Sequence, residues 1–301
     1  MTELAYILSP SYSGSTLLTF LLGTHPQIAT IGELKATARG DMDTYQCSCG
    51  ARMLDCPFWL RVRQELSRRG VDLDLHDFGT HFVFQDGGLG DKVLRSTYRG
   101  GAIEHVRRAA LHTVPTWQRR FRGIVERNRA LIETIMALQG GDLFLDDSKD
   151  AVRLRYLLDS GLWNVKVIRL IRDGRGSTTS YMRIHKLSLP EAAREWRHVQ
   201  EECERIAVEL PASGLLTVGY EKLCRDVEGT LARIFRFLGV DPKAATSDFL
   251  SVEHHVLGHA MRLRTNGQVQ LNEKWRSTWT AQDLAAFDRV AGEMNRRYGY
   301  E

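Results

Sequence analysis

Two segments of this chain carry residue types that bind anions. In YILSPSYSGSTLLTFLL (Tyr6 to Leu22) an apolar run gives way to a Ser/Gly loop and then to a helical pattern. Backbone N–H groups at a helix N-terminus lack partners and carry partial positive charge, so a loop opening straight into a helix can hold a phosphate. Ser13, Ser15 and Thr16 add hydroxyl donors. Against the nucleotide-kinase pattern GxxxxGK(S/T), Ser9 stands at the first glycine, Gly14 at the second, and Ser15 where the lysine belongs. Without that lysine the loop is poorly equipped for a magnesium-bound triphosphate. The same residues also suit a plain Ser/Gly turn capping a helix.

The second segment, VKVIRLIRDGRGSTTSY (Val165 to Tyr181), is again strand, loop, helix. Arg169, Arg172 and Arg175 gather near the strand's end, and Ser177, Thr178, Thr179 and Ser180 follow on the opening turns of the helix. Arginine presents a planar fork matched to phosphate oxygens. Basic residues are unfavourable at a helix N-terminus unless an anion compensates, which argues against a merely solvated helix start. Two anion cradles at one sheet edge suit a ligand with two separated phosphates.

The elements that must position these loops follow from periodicity. Short apolar runs at residues 4–8, 28–31, 143–145, 165–171 and 215–218 read as buried parallel strands. Helical spacing covers residues 15–22, 58–69, 123–138, 150–158, 173–182, 189–207, 226–238 and 281–297, with Gly239 as a C-terminal signal. Residues 79–90 are Gly-rich and read as a loop or lid. Strands alternating with helices predict an α/β fold with a parallel sheet flanked by helices, with ligands at the carboxyl ends of the strands.

At the two loops the sequence resembles the sulfotransferases that use 3′-phosphoadenosine 5′-phosphosulfate (PAPS), and the resemblance runs through most of the chain in that family's order. It implies a P-loop-like three-layer sandwich: one domain over residues 1–301, with a mostly helical acceptor-side insertion at about 36–140. SYSGSTLL is similar to the 5′-phosphosulfate loop, usually (K/R)SG(S/T)T, which implies donor binding by Tyr12, Ser13, Gly14, Ser15, Thr16 and Leu17. The 3′-phosphate motif's Arg and the Ser eight residues later fall on Arg172 and Ser180. YEKLCRDVEGTLARIFRFLGV resembles the segment that places a Tyr near the adenine, here Tyr220. HHVLGHAMRLR with EKWR resembles a C-terminal lid, with Arg262 as a further 3′-phosphate contact. LFLDDSKD is similar to the D-S-x-K segment, and HPQIATIGELKA to the GE motif, of the carbohydrate and tyrosylprotein group.

One position departs from that pattern. The basic residue two before the glycine is Tyr12 here, and Lys149 is the substitute at the neighbouring strand end; the plain reading of Lys149 is a surface lysine. The resemblance implies in-line sulfuryl transfer to a hydroxyl, or an amine, of a carbohydrate or related small molecule. Glu33 is the base, its proton affinity raised by burial, with His81 and His254 as rivals. A sulfuryl group carries less charge than a phosphoryl group, so no metal clamp is expected. The alternatives are a P-loop kinase and a non-catalytic nucleotide-binding protein.

The chain has 301 residues, a net charge of +4 and 43% apolar residues, which fits a folded globular protein. Its mild basicity suits a small anionic ligand, and no basic patch interleaved with aromatics points to nucleic acid. Residues 4–32 lack Asp, Glu, Lys and Arg, yet the Ser/Pro/Gly interruption and the missing positive flank predict neither signal peptide nor membrane span. Five cysteines, an odd count, predict a reducing, cytoplasmic setting. Cys47, Cys49 and Cys56, in CSCGARMLDCPFW, could be three of four zinc ligands, but no fourth stands nearby. A thiol-lined loop packing with Phe58 and Trp59 is the simpler expectation; related sulfotransferases carry a similar segment. Arg95, Arg99, Arg107 and Arg108 read as a solvated face.

Overall fold

A computed structural model describes residues 1–39, 41–263 and 267–301. Five strands, β1 (Thr2–Leu8), β2 (Ile28–Gly32), β3 (Leu143–Lys149), β4 (Trp163–Ile171) and β5 (Leu215–Gly219), form one sheet in the order β2-β3-β1-β4-β5. Every neighbouring pair is parallel. In chain order the helices are α1 (Ser15–Leu22), α2 (Pro57–Arg68), α3 (Leu89–Arg95), α4 (Gly101–Thr113) and α5 (Pro115–Gln139). They continue with α6 (Ala151–Ser160), α7 (Gly174–His185), α8 (Leu189–Ala207), α9 (Tyr220–Arg225) and α10 (Val227–Leu238).

The central strand shows why the sheet is covered on both faces. Side chains alternate along a strand, so Leu4, Tyr6 and Leu8 of β1 enter one apolar cluster while Ala5 and Ile7 enter the other. The first cluster gathers Trp59 and Val62 of α2, Leu131 and Ile135 of α5, and Leu154 and Leu157 of α6. The second is built by Leu18 and Leu21 of α1 with Ile234 and Phe235 of α10. This is a P-loop-like α/β architecture, helices on both sides of a parallel sheet.

The structure differs from the sequence pattern at several points. Strand β3 runs on through Asp146 and Asp147, where the apolar run predicts an end after residue 145. Asp146 is fully buried but accepts from Arg153 Nε at 2.9 Å, and the same guanidinium donates to Thr80 and Asn128. That network lets charged residues sit in an interior strand. Helices α3 and α4 lie in the stretch expected to be mostly helical but for which no individual helix was delimited, and α5 begins at Pro115, eight residues before the predicted start; a proline fits a first helical turn, where its missing N–H is not needed. The predicted helix 281–297 contains a π turn at Asp288–Gly292. Beyond it Asn295 turns inward and accepts from Gly174 N at 2.8 Å. Arg107 is not solvated: it is buried and paired with Glu104 at 3.3 Å. Among the described residues no helix is long and apolar enough to cross a membrane.

Candidate active site

A cavity of about 990 Å³ opens over the carboxyl ends of the strands, large enough for a nucleotide and a second small molecule. Each strand end delivers something to it. Strand β1 supplies Ser11, Tyr12 and Gly14, β2 supplies Glu33, β3 supplies Lys149, β4 supplies Arg172 and β5 supplies Tyr220.

The first loop meets α1 with its N-terminus open. Gly14 is the N-cap, in a left-handed conformation (φ 91°), and no side chain caps the helix. The N–H groups of its first turn, at Ser15, Thr16 and Leu17, belong to residues that line the cavity. Gly14 has no substitute here: a Cβ would lie 2.4 Å from the Tyr220 ring. Ser13 does not line the cavity; its hydroxyl is buried without a partner. Tyr12 is also left-handed (φ 66°), and its hydroxyl meets His185 Nε2 at 2.8 Å.

The second loop contributes less than its composition predicts. Of the three arginines only Arg172 lines the cavity. Arg169 donates to the Tyr298 hydroxyl, and Arg175 pairs with Asp173 at 2.8 Å over the Trp275 ring. The anion that the basic helix start calls for is the chain's own Asp173, which caps α7 by accepting from Arg175 N. Ser180 lines the cavity, whereas the Ser177 and Thr178 hydroxyls are buried without partners. Arg172 is almost buried, donates Nη1 to Tyr12 O at 2.7 Å and Nη2 to Asn272 O at 2.6 Å, and stacks over Tyr220. Of five guanidinium N–H donors these bonds engage two.

Glu33 and Lys149 meet directly, Lys149 Nζ donating to Glu33 Oε1 at 2.6 Å and to Asp147 O at 2.9 Å. Both side chains are nearly buried. Glu33 is thus one member of a nearly buried ion pair, in which mutual attraction works against the desolvation of both charges. Two features of β3 aim Lys149 here. The strand's pairing with β1 slips between Asp146 and Lys149, and Lys149 is left-handed (φ 67°); such irregularities re-aim side chains at functional edges. Beneath the pair, burial pushes the Asp147 carboxyl up to about 6; the Lys149 charge opposes that rise and Glu33 adds to it. Gly258 also lies against Glu33, where a Cβ would approach Oε1 to 2.8 Å.

Arg262 does not line the cavity. Its guanidinium donates to the carbonyls of Gln46 and Gly258 and stacks on Tyr45, fastening two backbone segments together. His81 and His254 do not line it either, and His254 is bonded to Phe249 O. Among the charged and titratable residues of the cavity, Arg183 was not singled out by the sequence reading, and His259 and Lys274 were covered only as part of the lid segments, without a role of their own. Arg183 lies three residues after Ser180, one helical turn on, and that spacing could have found it. Burial lowers the His259 pKa, so its imidazole is neutral near pH 7.

Residues 128–244 match the model of the Sulfotransferase family. The matched stretch includes Lys149, Arg172, Ser180 and Tyr220 and excludes Glu33 and the first loop. The whole chain shares the sulfotransferase fold. It covers 100% of its length and 99% of the sulfotransferase domain from the curacin biosynthetic pathway, at 15% identity and a TM-score of 0.56. Against the sulfotransferase domain of the Synechococcus PCC 7002 olefin synthase it covers 99% and 95%, at 19% identity and a TM-score of 0.52. No curated protein matches the sequence.

Proposed function

We propose that this chain is a sulfotransferase that moves the sulfuryl group of PAPS to a hydroxyl or amine of a small-molecule or glycan acceptor. The observation that carries the reading is the joining, round one cavity, of the uncapped α1 N-terminus, the Arg172 fork and the Glu33–Lys149 pair. The donor is a substrate with two separated phosphates, and the chain offers a cradle at each end. The amides of Ser15, Thr16 and Leu17 and the Ser15 and Thr16 hydroxyls would hold the 5′ end. The remaining Arg172 N–H donors and Ser180 would hold the 3′-phosphate, with Tyr220 beside the adenine. Arg262 has no part in this scheme.

The acceptor oxygen attacks sulfur in line. A new S–O bond forms as the bond to the bridging phosphate oxygen breaks, and the electron pair leaves on that oxygen. Lys149 and the α1 amides stabilise the charge that develops there. Lys149 is shared between the leaving oxygen and Glu33, so donor binding draws its charge off the carboxylate, which then takes the acceptor's proton. His259 supports a second assignment of the base, because a neutral imidazole lines the same cavity. The Gly32-Glu33 and Asp147-Ser148-Lys149 segments support a carbohydrate-like acceptor by resemblance.

Thermal stabilisation tests the donor first. Binding at a hundredfold excess over Kd is worth about 2.7 kcal/mol. 3′,5′-Bisphosphoadenosine, the product left after transfer, should raise the melting temperature; magnesium-ATP and DNA should not. Stabilisation by magnesium-ATP alone would turn the reading to a kinase. Labelled PAPS incubated with sugars, lipids, phenols and peptides then identifies the acceptor class.

A further inference from the structure

The cysteine cluster acquires a fourth member from a distant part of the chain. His255 Nδ1 lies 3.6 Å from both Cys47 Sγ and Cys56 Sγ, and Cys49 Sγ lies 3.6 Å from Cys56 Sγ. All four ligand atoms fall within 4.8 Å of one another. A tetrahedral zinc ion with Zn–S of about 2.3 Å and Zn–N of about 2.0 Å requires separations of about 3.8 Å between sulfurs and about 3.5 Å from sulfur to nitrogen. We infer that Cys47, Cys49, Cys56 and His255 form a structural zinc site.

The surroundings suit a metal better than four unrelated side chains. Turning one imidazole nitrogen to the thiols leaves the other for a carboxylate, and His255 Nε2 lies 3.4 Å from Glu253 Oε1. A metal-bound histidine commonly has a carboxylate as its outer partner, and the exposed Glu253 stands within reach of that nitrogen. Phe58 stacks flat on the ring at 4.3 Å and holds its plane. Gly50, left-handed at φ 89°, closes the tight turn in which Gly50 N donates to Cys47 O, bringing Cys49 round. Ser48 bridges the two segments, donating to His254 O and accepting from Val256 N. Binding Zn²⁺ would release three thiol protons and leave the site with one negative charge. Cys56 is the N-cap of α2, whose positive end faces that charge.

The consequence is mechanical. Leu257, two residues after His255, donates to Ile31 O at 2.7 Å, and Gly258 backs Glu33. The metal would pin the loop at residues 47–56 to the segment that walls the Glu33–Lys149 pair. The ligands lie outside that cavity, so the site is structural.

Elemental analysis of the full chain, purified reduced from zinc-supplemented medium with any histidine tag removed, tests this without donor or acceptor. One equivalent of zinc is expected. Cys49→Ser alters the exposed ligand and should lose most of the metal. Glu253→Gln should weaken zinc affinity about tenfold, the lower end for an outer partner. Should Cys49→Ser fail to fold, Co²⁺ titration of the metal-stripped wild type decides, because tetrahedral thiolate coordination gives intense visible bands. The inference is overturned by a reduced wild type that retains neither metal, by full zinc in folded Cys49→Ser, by iron in place of zinc, or by a Cys49–Cys56 disulfide in a metal-free chain.

Discussion

Arg172→Ala tests the second cradle without knowledge of the acceptor. The wild-type guanidinium holds Tyr12 O and Asn272 O and leaves three N–H donors for a phosphate. One charge-assisted bond contributes about 1.5–3 kcal/mol, so losing one weakens 3′,5′-bisphosphoadenosine binding roughly 10- to 150-fold. The same change removes the two internal bonds and the stacking on Tyr220, costing about 2–4 kcal/mol of stability. For a chain of this length that lowers the melting temperature by roughly 3–6 °C, which leaves a folded protein at room temperature. Arg172→Lys keeps the charge but not the fork, and should fall between wild type and Ala. Titration calorimetry at fixed ionic strength reads all three. A Kd for folded Arg172→Ala within about twofold of wild type would remove Arg172 from the phosphate site and with it the two-cradle reading.

Glu33→Gln should lower turnover about 10²- to 10⁴-fold, the range for a general base, while bisphosphate affinity stays within a few-fold; if turnover is unchanged and its acid limb instead follows His259, the base is His259. Gly14→Ala should abolish donor binding, because the new methyl meets the Tyr220 ring, and should cost stability through its positive φ by about 1–2 kcal/mol; unaltered calorimetric binding would refute the packing of that loop. Asp147→Asn gives a pH test. With the folded carboxyl raised from 3.8 to about 6, the wild type binds more protons folded than unfolded between those values. The Asp147 contribution is therefore favourable at low pH and lost as pH rises through about 6. The variant's melting temperature should gain on wild type from pH 4 to pH 7, and a constant difference would contradict the burial of that charge.

Much of the framework was legible because it is encoded locally. The apolar run at residues 4–8, the helix at 15–22 and the amphipathic spacing over 189–207 each specify their own geometry. The strand–loop–helix order already put residues 9–14 and Arg172 at one sheet edge. The extension of β3 through Asp146 was hidden, since what makes a charged residue tolerable there is Arg153, placed by a later helix. Arg175 read as a phosphate ligand because the sequence does not show that its guanidinium pairs with Asp173, two residues before it.

By itself the sequence determined which loops could bind anions, which strands would carry them, and that Glu33 and Lys149 would both stand at strand ends. Tertiary structure decided that those two charges pair, that Arg262 fastens backbone outside the cavity, and that His255 joins cysteines about 200 residues before it. Local patterns follow from backbone and burial preferences of neighbouring residues, whereas a side chain's partner is set by which elements the sheet brings side by side.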